Sequence, residues 1–118
     1  MPRAMVVRVS AARALAVALV LGACSSSPRS EEDLKADFSS FVADKQACMA
    51  DSDCTLASTG CPLGCATAVA KPFKDAVERR ARELVSEYES NGRRCDYDCV
   101  APDLRCEASR CTAYPPRQ

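Results

Sequence analysis

The length and charge of this chain narrow its possible functions before any motif is considered. Its 118 residues are enough for one small domain, and its 16 basic and 16 acidic residues leave no net charge. A nucleic-acid-binding surface needs a basic excess, so nucleic acid is not an expected partner. The chain contains no His and no Trp, and the lack of His removes the commonest general base of enzyme active sites.

The N-terminal segment has the composition of a secretory signal. Arg3, Arg8 and Arg13 precede an apolar run at residues 14–21, and the segment contains no acidic residue. The run is too short for a membrane-spanning helix, which takes about 20 apolar residues. We therefore expect residues 1–23 to be a cleaved signal peptide. Loss of its three arginines would leave 13 basic against 16 acidic residues in the mature chain.

The signal ends in the run Leu21-Gly22-Ala23-Cys24, which resembles the lipobox of bacterial lipoproteins. The resemblance implies that Cys24 becomes the first residue and carries a diacylglycerol on its thiol and a further acyl chain on its amine. Two or three acyl chains hold a protein on a membrane for practical purposes permanently. In such lipoproteins an Asp after the lipidated Cys retains the protein in the inner membrane, so Ser25 implies the outer membrane. Ordinary secretion after an Ala-x-Ala-like cut is the alternative.

The lipoprotein interpretation divides the chain into three parts. Residues 1–23 form the signal, residues 24–29 form the lipid anchor and a serine-rich linker, and residues 30–118 form a single domain. About five residues reach at most roughly 18 Å when fully extended. We therefore expect the domain to stay close to the membrane surface.

Cysteine content predicts how this small domain is stabilised. The chain has nine cysteines, and eight remain if Cys24 carries the lipid. An even number in an exported chain of this length predicts four disulfides, because such domains bury too little apolar surface to be stable without cross-links. The sequence leaves their pairing open. The eight residues are Cys48, Cys54, Cys61, Cys65, Cys95, Cys99, Cys106 and Cys111.

A metal site is the rival interpretation of two of the cysteine pairs. Cys61 and Cys65 are separated by three residues, as are Cys95 and Cys99. Zinc knuckles more often have two intervening residues, and no His is present to complete a mixed ligand set. An oxidising compartment also favours disulfides. We therefore expect neither a metal nor another cofactor.

Two amphipathic helices are predicted. Ser30 and the acidic residues after it are typical of a helix start, and apolar residues then recur at helical spacing, which predicts a helix over about residues 30–47. Pro72 suits a first helical position and Asn91-Gly92 a stop, which predicts a second helix over about residues 72–90.

Short strands are predicted in the cysteine-rich segments. Residues 54–58 and 66–70 are strand candidates, and residues 105–106 and 111–114 flank a stretch of hairpin-loop length. The expected fold is a small, disulfide-rich α+β domain with two helices packed on a short antiparallel sheet or hairpin.

The cysteine pattern also resembles that of small cysteine-rich envelope lipoproteins of bacteria. The similar residues are Cys48-x-x-Asp51-Ser52-Asp53-Cys54-Thr55-Leu56, Gly60-Cys61-Pro62-Leu63-Gly64-Cys65, Cys95-x3-Cys99 and Cys106-x4-Cys111. They cover most of residues 48–111. The resemblance supports the expected fold and compartment and implies no activity.

No catalytic constellation is found in the sequence. The carboxylate pairs Asp51 with Asp53 and Asp96 with Asp98 are the remaining candidates, but acidic residues beside cysteines in tight loops usually form turns and caps. Calcium binding by Asp44, Asp51 and Asp53 is a further hypothesis, although this stretch lacks the Gly and the later oxygen ligands of an EF-hand loop. We expect no enzymatic activity.

Two functions remain open at this point. The first is a lipid-anchored envelope protein with a structural or partner-binding role, whose partner is another envelope protein or an extracellular ligand. The second is an inhibitor of a secreted hydrolase that presents a rigid loop framed by disulfides, because rigidity lowers the entropy cost of binding. Residues 61–65 and 100–105 are the candidate inhibitory loops, and Pro and Gly that merely shape tight turns are the simpler explanation of both.

Overall fold

The predicted elements are present in a computed structural model, which describes residues 29–88 and 95–114. The predicted signal peptide, Cys24 and the predicted helix stop at Asn91-Gly92 lie outside the described residues. The expected class, a small disulfide-rich α+β domain, is confirmed. Its elements in chain order are α1 (Glu31–Val42), β1 (Cys54–Gly60), β2 (Gly64–Ala70), α2 (Lys74–Ser86), β3 (Asp103–Glu107) and β4 (Arg110–Tyr114).

Helix α1 begins where the sequence predicts it. The Ser30 hydroxyl accepts a hydrogen bond from the Asp33 amide at 3.1 Å, and the first turn is acidic, as suits the positive end of the helix dipole. The buried face consists of Leu34, Phe38 and Val42. The helix ends at Val42 rather than near residue 47, because the residues after it serve in backbone pairing described below.

Helix α2 follows a short 3-10 turn, Lys71–Phe73, that contains Pro72. Its buried face consists of Val77, Ala81 and Leu84, each with no exposed surface. The helix ends at Ser86, four residues before the predicted end at residue 90.

Both helices pack on the first hairpin, which strands β1 and β2 form. Strands β1 and β2 are antiparallel, with Ala57 opposite Thr67 and Leu56 opposite Ala68. Ala57 and Val69 are fully buried against the apolar faces of α1 and α2, which form one cluster with them. Burial of these side chains is the main apolar stabilisation of the domain.

The two helices run antiparallel, and one carboxylate links them. Arg80 of α2 donates to both oxygens of Asp37 on α1 at 3.0 Å, and Arg29 donates to Asp37 at 2.9 Å and to Glu87 at 3.2 Å. These bonds from Arg80 and then Arg29 lower the pKa of Asp37. The start of α1 therefore lies beside the end of α2, next to the turn of the first hairpin, where a Cβ placed on Gly60 would lie 3.9 Å from Val85.

The second hairpin has a two-residue loop. Glu107 pairs with Arg110, and Ala108 and Ser109 between them have φ of 48° and 62°. Positive φ at both central positions is the geometry of the turn that matches the twist of two-residue hairpins. The hairpin predicted around residues 107–110 is therefore confirmed.

A short stretch after α1 joins the two hairpins, and we call residues 45–48 the connecting segment. Ala70 donates its amide to the Lys45 carbonyl at 2.9 Å, and Cys111 donates its amide to the Gln46 carbonyl at 2.7 Å. Ala47 forms an antiparallel bridge with Arg110. The connecting segment thus lies between β2 and β4 and satisfies backbone groups of both.

Gln46 has a second role in this junction through its side chain. It is 8% exposed, donates from Nε2 to the Ala68 carbonyl at 2.8 Å, and accepts at Oε1 from Arg110. A buried amide with donor and acceptor both satisfied fixes the positions of both partners.

None of the helices at residues 29–88 and 95–114 is long and apolar enough to cross a bilayer.

The replacement Gln46→Met tests the role of this amide. Met has a similar volume but cannot donate to the Ala68 carbonyl, so a buried acceptor loses its donor at a cost of about 1–3 kcal/mol in the free energy of unfolding. Guanidinium unfolding with the disulfides intact measures this. Ala36→Met introduces the same side chain on the exposed face of α1 and should change stability little; equal losses in both variants would contradict the assigned role.

Candidate functional site

Four disulfides connect the two halves of the domain, as the cysteine count predicts. Two of them tie the second hairpin to the rest of the domain, one to the connecting segment and one to the first hairpin. Cys48 bonds to Cys106 with Cα atoms 5.9 Å apart, and Cys54 bonds to Cys111 with Cα atoms 5.6 Å apart. Cys48, Cys54 and Cys111 are buried and form a second core cluster with Ala68. These sulfur atoms therefore take the place of aliphatic side chains between the hairpins.

The other two disulfides hold an exposed segment beside the turn of the first hairpin. Cys61 bonds to Cys95 and Cys65 to Cys99, with Cα atoms 5.8 Å and 5.7 Å apart. We call residues 95–102 the strap, which has no regular secondary structure. The two Cys-x3-Cys motifs of the sequence are thus cross-linked to each other.

The sulfur atoms also account for the closest grouping of metal-ligand atoms. Among residues 29–88 and 95–114, three residues that could ligate a metal lie close together. They are Cys48, Cys54 and Cys111, whose Sγ atoms all lie within 4.8 Å of one another. All three are in disulfides. Metal coordination by Cys requires the thiolate, so the oxidised pairs do not offer a ligand set.

The aspartates before β1 act as backbone acceptors. Asp53 Oδ2 accepts from the amides of Met49 at 2.9 Å and Ala50 at 3.0 Å, and Asp51 Oδ1 accepts from the Cys106 amide at 2.7 Å. Asp44 is paired with Lys45 at 2.8 Å. The turn-forming interpretation of the aspartate pair is confirmed, and these bonds occupy carboxylate oxygens that the calcium hypothesis requires.

The second aspartate pair, Asp96 and Asp98, lies in the strap. Both residues are exposed. General acid–base catalysis works best in a site that excludes water. The exposed strap does not supply such surroundings to either aspartate.

The two loops proposed for inhibition differ in accessibility. In the turn at residues 61–65, Pro62 is fully buried and Leu63 packs against the main core. This turn therefore does not project into solvent, which an inhibitory loop must do. In the second loop Val100 is 55% exposed, whereas residues 103–105 belong to β3.

A groove lies at the end of the domain where β1 begins and β2 ends, and we call it the distal groove. Its volume is about 510 Å³. Met49, 97% exposed, and Phe73, 40% exposed, border it, with Asp53 and Lys71 as its charged residues. The lining residues are Ala47, Cys48, Met49, Ser52, Asp53, Ala70, Lys71, Pro72 and Phe73.

A second groove of about 310 Å³ separates α1 from β2, and we call it the edge groove. Phe38, Val42 and Leu63 contribute apolar atoms to it, polar atoms make up the larger part of its surface, and its charged residues are Lys35 and Arg110. Of the described residues, none that lines it carries a carboxylate. The lining residues are Lys35, Phe38, Ser39, Val42, Gln46, Leu63, Ala66, Thr67 and Arg110.

Sequence reasoning located neither groove. Gln46 and Arg110 come together across 64 positions of the chain, and no local pattern marks either residue. Comparisons with protein-family models, curated proteins and solved structures found no match for this chain.

The variant Asp53→Asn tests the cap beside the distal groove. Hydrogen bonds from the Met49 and then the Ala50 amide lower the pKa of Asp53 below its ordinary value of 3.8. A depressed pKa contributes stability above the ordinary value, and this contribution is lost as pH falls through the pKa of the folded state. We expect Asp53→Asn to be less stable than the parent at about pH 7, with the difference narrowing as the pH falls below 3.8.

Urea or guanidinium midpoints of both proteins across this pH range provide the measurement. Asp75→Asn, at an exposed position of α2, is the control. A stability difference for Asp53→Asn that does not change with pH would contradict a charged cap.

Proposed function

We propose that this chain is a lipid-anchored lipoprotein of the bacterial cell envelope. Its disulfide-linked domain binds a protein partner on the side that faces away from the membrane. The lipobox-like run before Cys24 supports the anchor, and Ser25 supports the outer membrane as its location. Four disulfides are consistent with an oxidising compartment.

The observation that carries this proposal is the opposite placement of the chain entry and the distal groove. Arg29, at the entry, bonds to Asp37 and Glu87 at the end where α1 starts and α2 finishes. Phe73 and Met49 lie at the other end, beyond the start of α2 and the end of α1. The 12 residues of α1 span about 18 Å. A lipid on Cys24 would therefore leave the distal groove on the far side of the domain.

The composition of the distal groove favours a protein partner. An exposed thioether and an exposed phenyl ring at the border of the same groove cost free energy in water and gain it when a partner covers them. Met also adapts its shape to different partner surfaces. Lys71 and Asp53 add one charge of each sign at the margin, which can fix the orientation of a partner.

Intact mass spectrometry of the protein from a membrane fraction tests the anchor. The expected mass is that of residues 24–118 plus acyl groups, with eight alkylatable thiols that appear only after reduction. Cys24→Ser should yield no acylated species and should leave the membrane fraction. An unacylated parent protein, or free thiols before reduction, would refute the lipoprotein assignment.

Site-specific photocrosslinking in the native envelope tests the binding surface. A photoreactive residue at position 73 should give a discrete adduct, and Met49→Asp should reduce its yield at least about fivefold by placing a charge in an apolar contact. Ser40→Asp, at an exposed position on α1, should leave the yield unchanged. A photoreactive residue at position 87, beside the chain entry, is the second control. Equal adducts from positions 73 and 87, or none from position 73, would argue against the distal groove as the binding surface.

A further inference from the structure

The outer edge of strand β2 is only partly covered. Ala68 offers its carbonyl to Gln46 Nε2 at 2.8 Å and Ala70 offers its amide to the Lys45 carbonyl at 2.9 Å. Both groups therefore point away from β1. In an antiparallel ladder the direction of the backbone groups alternates from residue to residue, so Ala66 also directs its amide and carbonyl outward.

The residue opposite Ala66 confirms this direction. Ser58 pairs with Ala66 in the register and donates its amide away from β2, to Glu78 of α2 at 3.0 Å. Helix α2 thus supplies a hydrogen-bond acceptor for the outer edge of β1. The connecting segment supplies hydrogen-bond partners for Ala68 and Ala70 in the second half of β2. Among residues 29–88 and 95–114, no backbone hydrogen bond from outside the helices and strand ladders reaches the amide or carbonyl of Ala66.

The exposed part of this edge forms one wall of the edge groove. Ala66 and Thr67 line it from β2, and α1 lines it from Lys35 to Val42. Seven helical steps cover about 10 Å, which is the length of about three residues of extended chain. The small Ala66 side chain leaves room for another backbone to approach the strand edge.

The charge of the edge groove is positive. Arg110 donates through Nε and Nη2 to Gln46 Oε1 at 2.9 and 2.6 Å, and Gln46 is itself held by the Ala68 carbonyl. The guanidinium is therefore held in place at one end of the groove. Lys35 lies at the other end and is paired with Glu31, a neighbour on the exposed surface of α1. Two cations and an uncovered strand edge are complementary to an extended chain that carries carboxylates.

We propose that the edge groove binds an extended acidic peptide segment of a partner protein, which adds to β2 as a strand at Ala66 and places a carboxylate against Arg110. The segment alternates apolar residues, which contact Phe38 and Val42, with acidic residues. Hydrogen bonds to the strand edge supply affinity and the cations select the charge. This inference concerns a site distinct from the distal groove and holds with or without a lipid on Cys24.

An NMR titration tests the proposal. The full chain is labelled with nitrogen-15, and the added peptide is acetyl-Val-Glu-Val-Asp-Val-amide. We expect saturable shifts of the amide signals of residues 64–68 at sub-millimolar peptide. Replacement of both acids by their amides should weaken binding about tenfold through loss of charge-assisted hydrogen bonds. The absence of saturable shifts at millimolar peptide would overturn the proposal.

Two N-methylated peptides separate strand addition from simple charge attraction. One carries N-methyl groups at the odd positions and the other at the even positions, and in an added strand only one of these sets faces β2. We expect one methylated peptide to lose binding and the other to retain it. Equal binding of both would overturn the strand geometry.

Variants of the protein test the cations. Arg110→Ala should weaken peptide binding about tenfold, and Arg110→Lys, which keeps the charge, should retain part of it. Because Arg110 also supports Gln46, Lys35→Ala on the surface of α1 provides a variant with little risk to the fold. Arg82→Ala, at an exposed site on α2, is the matched control. Equal affinity in Lys35→Ala, Arg110→Ala and Arg82→Ala would overturn the role of the cations.

A second copy of this chain is the competing occupant. Sedimentation at increasing concentration, with and without peptide, detects it. A monomer throughout supports a partner segment as the occupant. A dimer that the peptide dissociates, with protection of the Ala66 amide from hydrogen exchange in the dimer, would overturn the proposal in favour of self-association.

Discussion

The structure depends on the two disulfides that hold the second hairpin in place, Cys54–Cys111 to the first hairpin and Cys48–Cys106 to the connecting segment. The interface between the hairpins contains few large apolar side chains, and its buried members are mainly Cys48, Cys54, Cys111 and Ala68. Each bond closes a loop of nearly 60 residues, for which the chain-entropy account gives a stabilisation of about 4 kcal/mol. That is comparable to the whole stability of a small domain. The connecting segment can pair with β4 because the sulfur bridges keep β4 in place.

The elements that local patterns encode could be predicted, and those that depend on distant partners could not. Ser30 and the acids after it mark the start of α1, and the apolar spacing gives its buried face. The end of α1 was predicted too late, because the connecting segment contains no Gly or Pro to mark a helix end. The chain leaves the helix there because the connecting segment pairs with β2 and β4. Cysteine number predicted four bridges, whereas their pairing depends on which segments the fold brings together. The aspartates before β1 were predicted as turn formers and are backbone acceptors.

Gln46 connects the stability of the domain with the shape of the edge groove. Its buried amide donates to β2 and accepts from Arg110, so one side chain covers the strand edge at Ala68 and orients the cation beside the uncovered edge at Ala66. A polar group at such a position is costly unless all its bonds are made. The satisfied amide therefore gives the groove a defined geometry without an additional structural element.

The uncovered part of β2 also bears on how the domain avoids association with itself. An open strand edge is a template for pairing with other chains, and natural proteins protect such edges by keeping them short and placing charges beside them. Here the edge is short, with Ala66 as its outward-facing residue and Lys35 and Arg110 beside it. A neutral apolar strand would have to desolvate these cations while adding no carboxylate beyond the Glu31 that already pairs with Lys35, which disfavours aggregation. An acidic strand would compensate them. The same two charges that disfavour unwanted pairing therefore select the chemistry of the segment that can pair.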